Sequence, residues 1–155
     1  MNIVGPSLDA QIRCEQVLRS LPRWFGIESS VVEYAQATTT LPTFAAVEEG
    51  EIVAFLSLEQ HFALSWELHC IAVHASCRGK GVGRALHGHA EQWLVGQGVR
   101  LLQVKTLAAS HPSPEYAETR DFYQRIGYCP LEVFPKLWAP HLPVLQLVKV
   151  MVKTG

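Results

Sequence analysis

The sequence lacks a long apolar run, a Cys-x-x-Cys pair and a large excess of charge of either sign. In 155 residues, 13 Lys and Arg stand against 14 Asp and Glu, which gives a formal net charge of −1. This balance argues against a nucleic-acid-binding protein with a broad basic face. Without a long apolar run, no membrane-spanning helix is expected. Residues 1–6 show no basic region followed by an apolar one, so no signal peptide is expected either.

The cysteines and histidines show no spacing typical of a metal site or a disulfide framework. The four cysteines are Cys14, Cys70, Cys77 and Cys129. With no signal peptide expected, a cytoplasmic location is the default expectation, and in that reducing compartment the cysteines are expected to be free thiols. The seven histidines are scattered, and His87 and His89 point to different faces of a predicted helix, so no metal is predicted. The length suits a single domain over residues 1–155.

The most informative pattern lies in residues 66–86, where an apolar run ends at Val73, a glycine-rich turn comes next and a helical pattern begins at once. Glycines admit positive φ and let a ligand approach the backbone. The first N–H groups of a helix have no helical partner and lie at the positive end of its dipole. The pattern therefore predicts an anion site of the phosphate-binding type. Its glycines and basic residues are Gly79, Gly81, Gly83, Arg78, Lys80 and Arg84.

The rest of the sequence predicts a mixed α/β chain. Helices are expected at residues 7–20, with Ser7 as the N-cap, and at 28–37. A hairpin is expected at 43–48 and 51–59, then the central strand at 66–73, a helix from 82 to about 96 and a strand at 99–107. Ser113 and Pro114 begin a last helix that stops at Gly127. We expect two last strands at residues 128–134 and 144–152, joined by a loop at 135–143. The pattern also allows a short first strand at residues 3–4.

Two of these patterns resemble the GNAT superfamily of N-acetyltransferases. Residues 77–86 resemble its acyl-CoA loop, Arg-x-x-Gly-x-Gly, and residues 119–128 resemble its later helix, Arg-x-Phe-Tyr-x-x-x-Gly-Tyr. The predicted order ααβββαβαββ is also the order of that fold. The resemblance implies an α/β mixed sheet with a splayed parallel central strand pair. It further implies acetyl-CoA as cosubstrate and no metal.

The resemblance also implies a set of cofactor-binding residues. In the family, loop amides hold the coenzyme A diphosphate and the preceding strand pairs with the pantetheine arm. Arg78 is expected either at the diphosphate or as a brace for the loop. The positions implied here are Ile71, Val73, Arg78, Gly79, Lys80, Gly81, Val82, Gly83 and Arg84.

The catalytic candidates come from the later helix and the central strand. The resemblance places Tyr123 near the coenzyme A sulfur, where it would act as the acid. Strand alternation predicts that Glu67, His69, Ile71 and Val73 share one face, although a bulge would break this pattern. A charged side chain within an apolar strand is unusual and is expected to face a cleft, so Glu67 is the first candidate base. His69 is the second, and a proton relay through solvent stays open.

Three aromatic residues in predicted loops, Trp24, Phe25 and Trp138, are expected to line an acceptor pocket. The first functional hypothesis is acetyl transfer to a primary amine of a small molecule by direct attack in a ternary complex. The alternatives are a protein or peptide N-acetyltransferase and a non-catalytic acyl-CoA-binding module. The sequence has no run of acidic residues that would bind a basic peptide acceptor. No nucleic-acid or membrane partner is expected, and a homodimer stays open.

Overall fold

A computed structural model of the chain describes residues 1–151, which form one seven-stranded sheet with four α-helices. The strands are β1 (Asn2–Val4), β2 (Thr43–Glu48), β3 (Glu51–Gln60), β4 (Ser65–Val73), β5 (Leu101–Leu107), β6 (Cys129–Ala139) and β7 (Leu142–Val150). The helices are α1 (Gln11–Arg19), α2 (Glu28–Ala37), α3 (Val82–Gly96) and α4 (Pro114–Arg125), and a 3-10 turn spans Ala75–Cys77. No helix within residues 1–151 has the length and apolar character needed to cross a membrane.

The sheet order is β1-β2-β3-β4-β5-β7-β6, and β4 and β5 form its parallel pair. These two strands pair through three positions, Ser65 with Leu101, Trp66 with Leu102 and Glu67 with Gln103. Beyond Glu67 the ladder between them ends, although β4 stays paired with β3 as far as Val73. The predicted mixed sheet with a splayed parallel central pair is confirmed, and the splay opens the middle of the sheet.

Two buried clusters hold the helices on the sheet. The cluster on the α3 side includes Leu56, Leu86 and Leu102, and Tyr123 of α4 also belongs to it. The cluster on the side of α1 and α2 includes Leu18 and Phe55. Because neighbouring residues of β3 alternate between the clusters, both faces of the sheet are buried, and the splay gives access to the interior.

A β-bulge lies at His69 in β4. Ser57 pairs with Cys70 and Leu58 pairs with Leu68, so His69 is the extra residue. Leu68 therefore packs in the α3-side cluster together with Ile71, whereas Cys70 packs on the α1 and α2 side. A bulge inserts one unpaired residue and reverses the facing of the residues after it.

The predicted shared face of Glu67, His69, Ile71 and Val73 is consequently wrong. Val73, like Ile71, packs against the α3-side cluster. The ring of His69 instead contacts Tyr34 of α2, at 5.3 Å between centroids. The bulge thus moves Ile71 and Val73 to the face of the sheet opposite to the one that alternation from Glu67 predicts.

The other differences lie at element ends. Helix α1 begins at Gln11, and its N-cap is Ala10 without a side-chain cap, so the predicted cap at Ser7 is wrong. Strand β6 runs to Ala139 through most of the predicted 135–143 loop, because an irregular register between Phe134 and Ala139 lets the chain keep its partner β7. Strand β7 ends at Val150, and residue 152 of the predicted strand lies outside the described residues.

Candidate active site

The glycine-rich turn presents the unpaired start of α3. Gly79 and Gly81 have φ of 75° and 80°, and Gly81 is the N-cap. Ala85 N–H donates to the carbonyl of Gly81 at 3.1 Å, so the amides of residues 82–84 precede the first helical hydrogen bond. A Cβ built on Gly79 or Gly81 would meet nothing within 4 Å. The space before these amides is therefore open, and the turn fits the diphosphate of a nucleotide-bearing cofactor.

Gly83 has a different role in the same turn. It is helical, and a Cβ there would lie 3.4 Å from Val73 Cγ2 and 3.5 Å from Phe122 Cζ. These are ordinary van der Waals distances, so Gly83 is packed against β4 and α4 without being too tight for a methyl group.

The basic residues of the turn point in different directions. The Arg78 guanidinium lies 4.2 Å from the ring centroid of Trp24, and its Nη2 is 3.7 Å from Glu118 Oε2. These contacts brace the turn against the α1–α2 connection and α4. Arg84 lines the cleft that opens at this turn, whereas Lys80 is exposed and lies outside the cleft walls.

A cleft of about 430 Å³, here called the main cleft, begins at the glycine-rich turn and enters the splay. Ile71 and Val73 from β4 form one wall, and Val104 and Thr106 from β5 form the opposite one. Strand β4 has no β5 partner along this wall, so its backbone can pair with an extended ligand. Of the other sequence-predicted residues, the lining includes Trp24, Phe25, His69, Arg78, Gly79, Gly81, Val82, Gly83, Arg84, Tyr123 and Trp138.

A second cavity of about 370 Å³, here called the apex cavity, lies where the β4–β5 ladder ends. Glu67 and Leu137 line the apex cavity and do not line the main cleft. The two cavities share five lining residues, so they are adjacent. Those shared residues are Tyr34, Leu68, His69, Lys105 and Trp138.

Tyr123 lies in the wall of the main cleft with 5% of its surface exposed. Its ring packs against Phe122 and Tyr128 at centroid distances of 5.6 and 5.4 Å. Burial raises the pKa of the Tyr123 hydroxyl well above its ordinary value. The hydroxyl is protonated at neutral pH, as a proton donor must be, and the raised pKa makes it a weaker acid than a solvent-exposed tyrosine.

Glu67 belongs to a polar network at the apex. Lys105 Nζ donates to both of its carboxylate oxygens at 3.1 Å, and His61 Nε2 lies 2.7 Å from Oε1. Glu59, His61 and Glu67 bring three possible metal-ligand atoms within 4.8 Å of one another. Of the two carboxylates, Glu67 already has a cationic partner in the Lys105 ammonium.

His69, the second candidate base, has its Nδ1 3.8 Å from Glu59 Oε2. It therefore lies at the same apex as Glu67, held by the bulge and by Tyr34.

The α1–α2 connection is fastened to α4 through Trp24. Its Nε1–H lies 3.2 Å from both the carbonyl of Glu115 and Thr119 Oγ1. Tyr116 hydroxyl donates to the Trp24 carbonyl at 2.6 Å. These bonds make Trp24 a rigid part of the wall. Next to it, Phe25 packs edge-to-face on Tyr34 at 5.9 Å.

Sequence reasoning missed Lys105, His61 and Tyr34 as site residues. Lys105 carried the same signal as Glu67, a charge within an apolar strand, and the two are paired. His61 and Tyr34 carried no local signal, because the splay and the bulge alone bring them to the apex.

The chain is similar to known proteins in both sequence and structure. The model of the acetyltransferase (GNAT) family matches residues 13–128. No curated protein sequence matches the chain. A GNAT-family structure from Desulfovibrio desulfuricans has a TM-score of 0.87 at 17% identity, covering 97% of this chain and 99% of its own.

Two further solved structures have named activities. An aminoglycoside 6′-N-acetyltransferase complexed with coenzyme A has a TM-score of 0.76 at 20% identity, covering 100% and 99% of the two chains. The ribosomal-protein-S18-alanine N-acetyltransferase from Escherichia coli has a TM-score of 0.77 at 18% identity, covering 99% and 97%. Identities this low show a common fold. The family match over most of the chain shows that this protein belongs to the GNAT family and is an acetyl-CoA-dependent N-acetyltransferase.

Proposed function

We propose that the enzyme transfers the acetyl group of acetyl-CoA to a primary amine of a small molecule, by direct attack in a ternary complex. The supporting observation is that the apex cavity adjoins the main cleft and shares part of its lining. A cofactor lying from the glycine turn into the splay would bring its acyl end toward the apex. A second cavity of about 370 Å³ at that end suits one small acceptor.

In this proposal the cofactor is held mainly by backbone. The amides of Val82, Gly83 and Arg84, with the open turn at Gly79 and Gly81, bind the diphosphate. Ile71 and Val73 present the free β4 backbone to the pantetheine arm. Arg78 acts as a brace, and Lys80 and Arg84 add positive charge near the phosphates.

The reaction requires that one proton is removed from the amine and that one proton is supplied to the leaving thiolate. The amine nitrogen forms a bond to the thioester carbonyl carbon, the carbon–sulfur bond breaks, and the thiolate takes a proton. Tyr123 is the proposed donor of that proton. Glu67 is the proposed acceptor of the amine proton, with His69 as the second candidate. His61, 2.7 Å from Glu67 and partly exposed, gives the proton a route to solvent.

Of the three aromatic residues predicted for the acceptor pocket, Trp138 would contact the acceptor in the apex cavity. Phe25 lies beside that cavity on the main cleft, and Trp24 lies against Arg78 at the glycine turn. The named activities of the solved relatives include both a small-molecule acceptor, an aminoglycoside, and a protein acceptor. The limited volume of the apex cavity, about 370 Å³, favours the small molecule here. All four cysteines are free thiols, which supports the proposed cytoplasmic location.

The test is release of coenzyme A thiol from acetyl-CoA with two panels, one of small primary amines and one of short peptides with free N-termini. We expect turnover with small amines and an acetamide product by mass spectrometry. In Glu67→Gln we expect turnover about 10²-fold lower with unchanged acetyl-CoA affinity. Turnover with peptides alone would overturn the small-molecule assignment.

A further inference from the structure

Three of the seven residues that line the apex cavity carry aromatic rings, and ring contacts hold two of them, Tyr34 and His69. Phe25 packs on Tyr34 at 5.9 Å with an interplanar angle of 81°, and Tyr34 packs on His69 at 5.3 Å and 66°. Each ring thus holds the next in an edge-to-face arrangement, which fixes its orientation. Tyr34, His69 and Trp138 line the apex cavity itself, and Phe25 lies beside it on the main cleft.

Two leucines and one charged pair, Glu67 with Lys105, form the remaining wall. Leu68 lies at the floor, packed in the α3-side cluster, and Leu137 of β6 lies at the rim with 53% of its surface exposed. The rings and leucines are five of the seven lining residues, and the charged pair supplies the polar groups. A cavity with these walls suits a flat apolar body that carries one polar end.

The charges at the apex are already balanced. Among its lining residues, Glu67 and Lys105 carry formal charges, and they are paired at 3.1 Å. Just outside the lining, Glu59 lies 3.4 Å from His61 and 3.8 Å from His69. An acceptor with several ammonium groups would therefore meet one unpaired carboxylate close by, too few to compensate for the water it gives up.

We propose that the acceptor is an arylalkyl monoamine, a primary amine with one basic nitrogen on a short chain that ends in an aromatic ring. This deepens the proposed function and rests on it. The ring lies among Tyr34, His69 and Trp138, and the amine lies toward Glu67. The neutral nitrogen attacks the acetyl carbonyl, its lost proton goes to Glu67, and the thiolate is protonated by Tyr123, so the products are an arylalkyl acetamide and coenzyme A.

The experiment compares kcat/KM for 2-phenylethylamine and tryptamine with that for n-butylamine, spermidine and kanamycin, at saturating acetyl-CoA. We expect the ring-bearing amines to exceed the other three by at least about tenfold, since ring stacking and desolvation both favour them. A higher kcat/KM for spermidine or kanamycin overturns the inference and leaves the acetyltransferase proposal standing. If no amine of either kind is turned over, the proposed small-molecule function fails, and the inference fails with it.

A charge variant gives the sharper test. Leu137→Asp adds a carboxylate at the exposed rim of the apex cavity without touching the main cleft lining. We expect kcat/KM for 2-phenylethylamine to fall and that for spermidine to rise, with KM for acetyl-CoA unchanged. Leu131→Asp is the matched control, because Leu131 is 62% exposed on the same strand and lines neither cavity. Equal effects of the two substitutions would refute a specificity role for this wall.

Discussion

Replacing Gly81 with Glu tests the anion site at the start of α3. The new Cβ would enter open space before the unpaired amides, so the carboxylate can reach the region where a diphosphate binds. Two unit charges about 5 Å apart repel by roughly 3 kcal/mol at an effective dielectric constant near 20. We therefore expect acetyl-CoA affinity to fall on the order of 10²-fold.

The substitution also affects stability, and this effect needs a control. Gly81 has φ of 80°, and a residue with a side chain in that conformation costs about 1–2 kcal/mol. Gly98 has φ of 83°, comes after a helix and also faces open space, but it does not line the main cleft. Gly98→Glu should therefore lower the melting temperature by a similar amount and leave acetyl-CoA binding intact.

Circular dichroism first shows that both variants are folded. Isothermal titration calorimetry then compares their affinities for acetyl-CoA. Gly81→Ala separates backbone strain from charge, because it shares the φ constraint and adds no carboxylate. Wild-type affinity in a folded Gly81→Glu protein would refute the placement of the diphosphate at this turn.

Three further predictions concern catalysis and stability. Tyr123→Phe should lower kcat about 10²–10⁴-fold with acetyl-CoA affinity unchanged, and an unaltered kcat would remove the hydroxyl from the acid role. Leu18→Ala should lower the free energy of unfolding in urea by about 2–5 kcal/mol, since Leu18 is fully buried, whereas Ile12→Ala on the same helix, 76% exposed, should change it by less than about 0.5 kcal/mol. Burial lowers the pKa of His87 to about 4 from 6.5, so the unfolded chain binds a proton that the folded one does not. As far as His87 is concerned, the free energy of unfolding should keep its full value above pH 6.5 and fall by roughly 3 kcal/mol in all as the pH drops toward 4. His87→Gln should remove this pH dependence of the free energy of unfolding. The wild-type pH dependence in that variant would contradict the prediction.

Local signals predict several elements well. Helix α2 and strand β2 have the predicted bounds, and the Ser113 side chain caps α4 by accepting from Tyr116 N–H, as predicted. In each case the determinant lies within a few residues, as a periodic apolar pattern or a capping side chain followed by proline. The glycine turn belongs to the same class, since positive φ at Gly79 and Gly81 needs no distant partner.

The geometry of the apex could not be predicted in this way. The bulge at His69 depends on the register between β3 and β4, which a single strand pattern does not contain. The Lys105–Glu67–His61 network joins three segments, and its members meet because β4 and β5 diverge after Glu67. The sequence predicts too short a strand β6 because Pro130 and Pro135 are typical of loops, yet an edge strand tolerates proline at positions whose N–H is not needed.

The splay between β4 and β5 has a consequence for the behaviour of the protein in solution. Past Glu67, the β5-facing side of β4 offers backbone donors and acceptors in the middle of a sheet, where most proteins pair every strand. Such a row is a template for any extended chain, another molecule of the enzyme included. A cosubstrate that pairs with this edge of β4 would therefore protect the enzyme from aggregation and also supply the acetyl group. Purified enzyme stored with coenzyme A should accordingly aggregate more slowly than enzyme stored without it.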